Sequence, residues 1–340
     1  MLKTKHLRSA EGWRAAPALG AKRPAKKKEE FFCKLLQSCR SEETGPSPQA
    51  VIIVLLLSLV VSFVGCRPSH TGRIVIGSKN FTEQVVLAEL LAQHIETRLH
   101  IPVDRRFYLA GSYIAHQSLI SGRIDLYPEY TGTALTAILK RPIESERSAV
   151  YDLVKSEYEK RFHLSLTEPL GFNNTFAMVM RGDEARRLHI SALSQAAQYA
   201  AQWRLGCGYE FSERPDGLKG LLQTYDLHFA ADPRIMDLGL LYRALAEKQV
   251  DLIAANDTDG LIASLDLTIL EDDRHYFPPY EAVPIVREET LQRFPALLAA
   301  LHELHNQISD AEMRELNYAI DGQHRDVAEV VAEFRKRKGL

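Results

Sequence analysis

Tyr130 and Thr133 are the residues whose types and spacing first suggest a binding site. They follow an apolar stretch that predicts a strand over residues 124–127, and they precede an apolar helical pattern. Pro128 is expected to end the strand, because proline has no N–H for a sheet ladder. A strand-to-helix turn is where open α/β sheets bind ligands, and this turn would present an aromatic ring beside hydroxyl groups. An ordinary tight turn in which Thr131 or Thr133 caps the helix explains the same local pattern.

Length and composition describe a chain that can bury a large core. It has 340 residues, 46% of them hydrophobic, so two compact domains are the default expectation. The formal net charge of −2 and the pI near 6.6 give no reason to expect a nucleic acid partner. Neither the cysteines nor the histidines have the spacing of a metal site or of a disulfide framework. We expect no metal and no cofactor.

The first 66 residues have the features of a targeting segment. Residues 1–50 are predicted to be a disordered basic extension or an over-extended gene start. The apolar run over residues 51–64 is shorter than the roughly 20 residues of a membrane span and suits a signal-peptide core. It ends in the sequence FVGC at residues 63–66, which resembles a bacterial lipoprotein box and implies lipidation of Cys66. An uncleaved anchor with Cys66 at its edge is the alternative.

Strands and helices alternate along the rest of the chain, after a linker over residues 67–72. The alternation argues for doubly wound α/β domains. Extended runs at residues 168–180 and 267–284 predict two crossover strands between two such domains. We therefore expect an α/β fold with two lobes, the type II periplasmic-binding-protein fold, which closes over a cleft by hinge motion. The predicted lobes are residues 73–170 with residues 276–340 for lobe 1, and residues 171–275 for lobe 2.

Five motifs occur in order along the chain. They are GSKNFTEQ at 77–84, DLYPEYTGTA at 125–134, LGFNNTF at 170–176, TDG at 258–260, and LEDD with FPPY within 270–280. Together they resemble the substrate-binding subunits of osmoprotectant ABC transporters, which take up glycine betaine, choline or related quaternary ammonium compounds. The resemblance implies a binding protein and not an enzyme. It also implies an extracytoplasmic location with a lipid anchor in the cell membrane, and separate permease and ATPase subunits as partners.

In that family a cage of tyrosines surrounds the ligand's cation. A trimethylammonium group has no N–H to donate, so aromatic faces must recognise it, at about 0.5–2 kcal/mol per ring. The resemblance implies that Tyr130 and Tyr280 are walls of the cage. Phe176 stands where the family often has tyrosine, and it keeps the aromatic face without the hydroxyl. A packed surface aromatic is the plainer alternative for Tyr280.

The resemblance also implies contacts for the ligand's carboxylate, when it has one. Lys79 and Thr133 correspond to such contacts in the first lobe. Arg214 is the expected partner across the cleft, because a guanidinium binds a carboxylate through two N–H groups. The plainer alternatives are that Lys79 is a solvated loop lysine and that Arg214 pairs with Asp216 in its own turn.

Asn256 and Asp257 depart from the family pattern, which often has a tyrosine before Ser-Thr-Asp-Gly. An amide would then replace one wall of the cage, and Asp257 would bind a cation, select a ligand with hydrogen-bond donors, or only tighten a turn. The predicted function is capture of glycine betaine, choline or a related betaine between the lobes for an ABC importer. The alternative is a ligand sensor of the same fold for a cationic amino acid derivative, not coupled to transport.

Overall fold

The computed structural model describes residues 72–340. The predicted basic extension, the signal-peptide core and Cys66 lie outside the described residues. No helix between residues 72 and 340 is long and apolar enough to cross a bilayer.

The described part of the chain contains ten strands in two five-stranded sheets. The strands are β1 (Ile74–Gly77), β2 (Val103–Arg106), β3 (Leu126–Tyr130), β4 (Leu164–Leu166), β5 (Phe176–Arg181), β6 (Leu205–Cys207), β7 (Arg234–Ile235), β8 (Leu252–Asn256), β9 (Leu267–Leu270) and β10 (Ala282–Arg287). The sheet of lobe 1 has the order β2-β1-β3-β10-β4, and the sheet of lobe 2 has the order β7-β6-β8-β5-β9.

Helices occupy connections between these strands and the segment that follows β10. They are α1 (Thr82–Leu99), α2 (Ser112–Ile120), α3 (Thr131–Thr133), α4 (Arg147–Phe162), α5 (Gly182–Leu188), α6 (Leu193–Ala200), α7 (Tyr209–Glu213), α8 (Leu218–Tyr225), α9 (Leu238–Ala246), α10 (Leu261–Ser264), α11 (Glu288–Arg293), α12 (Leu297–His302), α13 (Asp310–Asp321) and α14 (Val327–Lys338). A π-helical turn, Ala134–Ile138, continues α3.

The two sheets have equivalent topologies. In lobe 1, β1 pairs in parallel with β2 and β3, and β10 runs antiparallel to β3 and β4. In lobe 2, β6 pairs in parallel with β7 and β8, and β5 runs antiparallel to β8 and β9. In each sheet the antiparallel strand is the one that the chain enters from the other lobe. Two α/β lobes joined by two crossovers are therefore present, as predicted.

The two crossover segments pair with each other. Asn173 and Glu281 form an antiparallel bridge. Asn174 N donates to Tyr280 O at 3.0 Å, and Leu170 N donates to the carbonyl oxygen of Ala282 at 2.8 Å. The lobes are thus joined by a two-stranded link, and two of its residues border the cavity described below.

Pro128 does not end its strand, contrary to the prediction. β3 continues to Tyr130, and Pro128 faces Pro284 of β10 in the antiparallel register. Opposed residues in antiparallel strands alternate between hydrogen-bonded and non-bonded pairs, and two facing prolines suit a position that needs no N–H. The cap alternative was wrong too, because no side chain caps α3 and Thr131 Oγ1 donates to Pro279 O at 3.2 Å. The sheet therefore holds the backbone of Tyr130 directly.

The core lies on both faces of each sheet. In α1 the apolar face is fully buried, including Leu87, Leu91 and Ile95. Burial of one such side chain contributes about 1.5–3 kcal/mol, which explains why this 18-residue helix forms without a side-chain cap. Phe176 and Phe277 pack against the cores of both lobes. Aromatic packing therefore continues across the link between the lobes.

Candidate functional site

A cavity of about 730 Å³ lies between the lobes. Residues at or just after the carboxyl ends of the parallel strands β1, β3, β6, β7 and β8 line it, as expected for open α/β sheets. Its aromatic lining consists of Phe81, Tyr113, Tyr130, Phe176, Tyr209, Phe211 and Tyr280. In the described part of the chain no group of His, Cys, Asp or Glu residues is arranged to hold a metal ion.

The structure brings together nearly all of the residues predicted for the site. The lining includes Lys79, Tyr130, Thr133, Phe176, Arg214, Asn256 and Tyr280. Asp257, the remaining predicted residue, does not belong to the lining. These residues come from both lobes and from the second crossover segment, so the cavity exists only while the lobes are together.

Tyr130 is buried at the end of β3. Its hydroxyl donates to Glu83 Oε1 at 2.6 Å. Phe81 stacks on it with a centroid distance of 6.4 Å, and Lys79 Nζ lies 5.0 Å from the ring centroid. The ring of Tyr130 thus already attracts a cation of the protein.

Phe176 and Tyr280 form the second aromatic group, with ring centroids 5.6 Å apart in an edge-to-face arrangement. Phe211 contacts Phe176 in the same way at 5.0 Å. The guanidinium carbon of Arg214 lies 4.9 Å from the Phe176 centroid and 5.7 Å from the Tyr280 centroid. A ligand cation would therefore share these rings with Arg214.

Arg214 is held on two sides. Its Nε and Nη2 donate to the Asp216 carboxylate at 2.9 and 2.5 Å, and its Nη1 donates across the cleft to Thr133 Oγ1 at 3.0 Å. The pair of Arg214 with Asp216 within its turn is therefore present, and Arg214 also reaches across the cleft to Thr133 of the other lobe. Burial would lower the pKa of Arg214, but Asp216 outweighs it and raises that pKa. Tyr280 OH donates to Asp216 Oδ2 at 2.6 Å, so the ion pair also orients this ring.

Lys79 is only 2% exposed, so it is not the solvated loop lysine of the plainer alternative. Its ammonium group pairs with the fully buried carboxylate of Glu129. Glu129 also accepts hydrogen bonds from Tyr130 N at 2.8 Å and Tyr127 OH at 2.9 Å. An ammonium group has three donors, so Lys79 keeps donors for a ligand after it binds Glu129.

A second polar contact closes the cleft at its mouth. Glu210 of lobe 2 accepts a hydrogen bond from Ser112 N at 2.5 Å and from Ser112 Oγ at 3.1 Å. Ser112 is the first residue of α2 in lobe 1, where the helix dipole favours an anion. Together with the bond from Arg214 to Thr133, this contact describes a closed arrangement of the lobes.

Asn256 and Asp257 have different positions. Asn256 lies opposite Phe176 in the sheet of lobe 2, and its side-chain amide makes no hydrogen bond to any described residue. Asp257 instead accepts a hydrogen bond from Thr175 N at 3.1 Å, beside the crossover. Burial raises the pKa of Asp257 to about 7. Of the interpretations given to Asp257, the one that fits this position is a residue that braces a turn.

Glu83 is the main residue that sequence reasoning missed. Its Oε1 accepts from Tyr130 OH at 2.6 Å and Asn174 Nδ2 at 2.7 Å, and its Oε2 accepts from Thr258 Oγ1 at 2.6 Å and Asn317 Nδ2 at 3.0 Å. Glu83, Tyr130, Asn174 and Thr258 each belong to a different one of the five motifs. The sequence signal for Glu83 was this distribution over four motifs. Four separated motifs are expected to occur together when one residue from each of them meets at the same point of the fold.

Tyr113 and Tyr209 were also missed. They lie in α2 and α7, on opposite lobes at the mouth of the cavity, and their side chains are 65% and 70% exposed. Glu210 and Asp237 line the cavity as well and give it negative charge. No motif contains either tyrosine, so the sequence held no signal for them.

Comparison with known proteins gives consistent matches. A family model described as the substrate binding domain of the ABC-type glycine betaine transport system matches residues 72–337. The ergothioneine transport permease/ergothioneine binding protein of Helicobacter pylori is 33% identical over 292 residues, covering 86% of this chain and 52% of that protein. This chain therefore spans about half the length of that relative.

Two further relatives match over most of their length. The carnitine transport binding protein of Listeria monocytogenes is 30% identical, covering 84% of this chain and 94% of that protein. The glycine-betaine-binding protein of Pseudomonas aeruginosa is 34% identical, covering 78% of this chain and 88% of that protein. A crystal structure of a glycine betaine/carnitine/choline ABC transporter protein is 31% identical with a TM-score of 0.67, covering 78% of this chain and 98% of that one. The predicted two-lobed fold is confirmed by this match.

Proposed function

Because the chain belongs to the family of substrate-binding domains of ABC-type glycine betaine transport systems, we propose that its interlobe cavity captures a trimethylammonium compound that also carries a carboxylate. The observation that carries this proposal is that aromatic rings and two buried cations, Lys79 and Arg214, line one cavity. The relatives are solute-binding proteins of transporters, and this chain is likewise a binding protein and not an enzyme. Glycine betaine, carnitine and ergothioneine, for which relatives are named, all contain both groups.

The ligand's carboxylate would lie between Lys79, Thr133 and Arg214. Arg214 uses three of its five N–H groups on Asp216 and Thr133, and the ammonium group of Lys79 has no hydrogen-bond acceptor other than Glu129 among the described residues. Both cations therefore keep donors for a second carboxylate. Since Glu129 and Asp216 neutralise them, they would also tolerate a ligand cation a few ångströms away.

The trimethylammonium group would lie against the predicted cage residues Tyr130, Phe176 and Tyr280. Each ring has a protein cation within 6 Å of its centroid, and this supports a role for these faces in binding a cation. The negative charges of Glu210 and Asp237 on the lining favour a cation further.

Asn256 favours a ligand larger than glycine betaine and with an additional polar group. Its free amide can donate and accept hydrogen bonds at the place where an aromatic wall was expected. The cavity of about 730 Å³ extends to Tyr113 and Tyr209, which offer faces for the remainder of the ligand. Carnitine, with a hydroxyl group, and ergothioneine, with a polar ring, both meet this requirement.

We propose that ligand binding favours the closed arrangement. Arg214 and Thr133 belong to opposite lobes, so a carboxylate that contacts both would stabilise the closed form over the open form. We take residues 73–170 with 276–340 and residues 171–275 as the two moving lobes, and the paired crossovers as their hinge.

The chain would deliver its ligand to separate permease and ATPase subunits. The family consists of extracytoplasmic subunits of ABC importers, and the Helicobacter pylori relative is named for both permease and binding functions. A lipid on Cys66 would hold this chain at the membrane. Uptake of radiolabelled ligand by a strain that lacks the gene tests the coupling: loss of uptake supports it, and unchanged uptake favours the sensor alternative.

Isothermal calorimetry on the purified chain tests the ligand class. Carnitine, ergothioneine, glycine betaine and choline are titrated separately. We expect carnitine or ergothioneine to bind most tightly, and choline, which has no carboxylate, to bind at least tenfold more weakly than the best ligand. Absence of binding by all four compounds would overturn the proposal.

A further inference from the structure

Glu83 is a buried carboxylate without a counter-ion. Two other buried carboxylates beside the cavity have one, since Glu129 pairs with Lys79 and Asp216 pairs with Arg214. In residues 72–340 no basic side chain lies within ion-pairing distance of Glu83, and its partners are the neutral donors Tyr130, Asn174, Thr258 and Asn317. Burial raises the pKa of Glu83, while these hydrogen bonds act in the opposite direction.

A buried charge without a counter-ion is destabilising even after relaxation of the surroundings. Four donors to its two oxygens favour the ionised form of Glu83 against the effect of burial, and they leave its negative charge without a counter-ion among the described residues. Any cation that enters the adjacent cavity would therefore gain from it. The proposed ligand supplies such a cation.

Tyr130 connects this charge to the cavity. Its hydroxyl donates to Glu83 at 2.6 Å, and its ring lines the cavity. A phenol that donates to a carboxylate gains electron density in its ring, and cation–π attraction grows with the negative potential of the ring face. Tyr280 makes the corresponding bond to Asp216, but there Arg214 compensates the charge.

We propose that Glu83 is the buried counter-charge of the ligand's trimethylammonium group, and that it acts through the ring of Tyr130 as a positioning and specificity-determining residue. This inference rests on the proposed function. It adds a fixed negative charge that favours a permanent cation beyond the cation–π attraction of the ring itself.

The hydrogen-bond donors of Glu83 also link its charge to closure of the lobes. Tyr130 and Asn317 belong to lobe 1 and Asn174 to the first crossover segment, whereas Thr258 belongs to lobe 2. The full set of donors therefore comes from both lobes and from the crossover between them. If opening of the lobes moves the Thr258 hydroxyl away, Glu83 Oε2 loses one of its hydrogen-bond donors.

The substitution Glu83→Gln removes the negative charge but can keep the hydrogen bonds, so it tests the effect of the charge alone. Asn174 Oδ1 and Asn317 Oδ1 are buried and have no hydrogen-bond partner among the described residues. Rotation of either amide would let its oxygen accept from the new NH₂ group, so E83Q can keep a satisfied network. The matched control is Glu89→Gln on the same helix, where the carboxylate is buried and pairs with Arg105 outside the cavity.

Calorimetry measures the affinity of the wild-type chain, E83Q and E89Q for carnitine and ergothioneine, and thermal unfolding measures each ligand-free protein. We expect E83Q to weaken binding at least fivefold for whichever of these the wild type binds, with a thermal midpoint equal to or above that of the wild type. E89Q should bind normally. Neutral analogues in which a tert-butyl group replaces the trimethylammonium group should bind both E83Q and the wild type equally.

Different failures have different meanings. Unchanged affinity in E83Q would overturn the inference and leave the proposed function intact. A joint fall of affinity and ligand-free thermal midpoint would assign Glu83 a purely structural role and also overturn the inference. A wild-type chain that binds no trimethylammonium compound would overturn the proposed function, and the inference with it.

Discussion

Arg214 of lobe 2 donates a hydrogen bond to Thr133 of lobe 1 across the cavity, with 3.0 Å between Nη1 and Oγ1. The same guanidinium is fixed by two hydrogen bonds to Asp216 and lies over the rings of Phe176 and Tyr280. One side chain thus joins the lobes, presents donors to a carboxylate and packs on two predicted cage rings. Few substitutions in this chain should affect binding more.

Arg214→Lys should weaken binding of carnitine or ergothioneine at least tenfold, which corresponds to about 1.4 kcal/mol. Lysine keeps the charge but loses the planar set of donors that serves Asp216 and Thr133 at once. Calorimetry measures the affinity. Arg243→Lys is the control, because Arg243 is exposed in α9 and, within residues 72–340, forms its ion pair with Glu247. Equal affinities for R214K and the control would contradict the assignment.

Tyr130→Ala should cost far more affinity than Tyr130→Phe. Alanine removes the ring, for which we expect a loss of about tenfold to a hundredfold, from a cation–π contribution of about 2 kcal/mol or more at a desolvated site. Phenylalanine keeps the ring but breaks the bond to Glu83, and should weaken binding about as much as E83Q does. The double variant Y130F/E83Q should be no weaker than either single variant. Equal losses for Y130A and Y130F would argue against the cage.

Asp257→Asn should change how stability depends on pH. The folded pKa of Asp257, about 7, exceeds its ordinary value of 3.8 because of burial, so the folded state binds the proton more tightly than the unfolded state. The stability that Asp257 contributes is therefore complete below about pH 4 and is lost as the pH rises through 7. The asparagine variant should be more stable than the wild type at pH 8 and similar to it at pH 4.

Thermal midpoints between pH 4 and pH 8 test this difference. Asp259, whose pKa burial raises to about 6, lies in the same turn, so D257N should reduce the pH slope without removing it. If the thermal midpoint depends on pH in the same way in D257N as in the wild type, Asp257 does not titrate in this range.

Gly132→Ala should reduce both stability and affinity. A Cβ atom at this position would lie 2.6 Å from Pro279 O and 2.7 Å from Tyr280 Cδ1, so the Tyr280 ring would have to move. Overpacking of this kind costs about 1–3 kcal/mol. Gly239→Ala is the control, because its Cβ would have its closest contact at 3.4 Å. Thermal unfolding and calorimetry together measure the effect, and a G132A protein with normal affinity would show that Tyr280 does not bind the ligand.

Much of the site could be predicted from short motifs, because Tyr130, Thr133, Tyr280 and Lys79 lie within them or beside a predicted strand end. The pair of Arg214 with Asp216 was one of the alternatives from the sequence, but the counter-ion of Lys79 and the partners of Glu83 could not be predicted. Lys79 pairs with Glu129, fifty positions along the chain, and Glu83 meets Thr258 at a separation of 175 positions. Such pairs can be predicted only when the strand order of each sheet and the closure of the lobes are known.

Local rules failed where tertiary structure overrode them. Pro128 breaks ladders in general, but here it faces Pro284, so β3 continues through it. Arg214 with Asp216 resembled an exposed ion pair worth at most about 1 kcal/mol, yet both are buried, and a buried charge that loses its partner costs about 3–5 kcal/mol. Tyr113 and Tyr209 lie on different lobes and line the same cavity, so their relation depends on how the lobes come together.

A crystal structure of the chain with carnitine or ergothioneine bound tests the central claim most directly. We expect the trimethylammonium nitrogen within about 6 Å of the ring centroids of Tyr130 and Tyr280. The carboxylate should accept hydrogen bonds from Arg214 and Lys79, and Asn256 should contact the additional polar group. A ligand outside the cavity, or one with its carboxylate away from both basic residues, would contradict the proposed function.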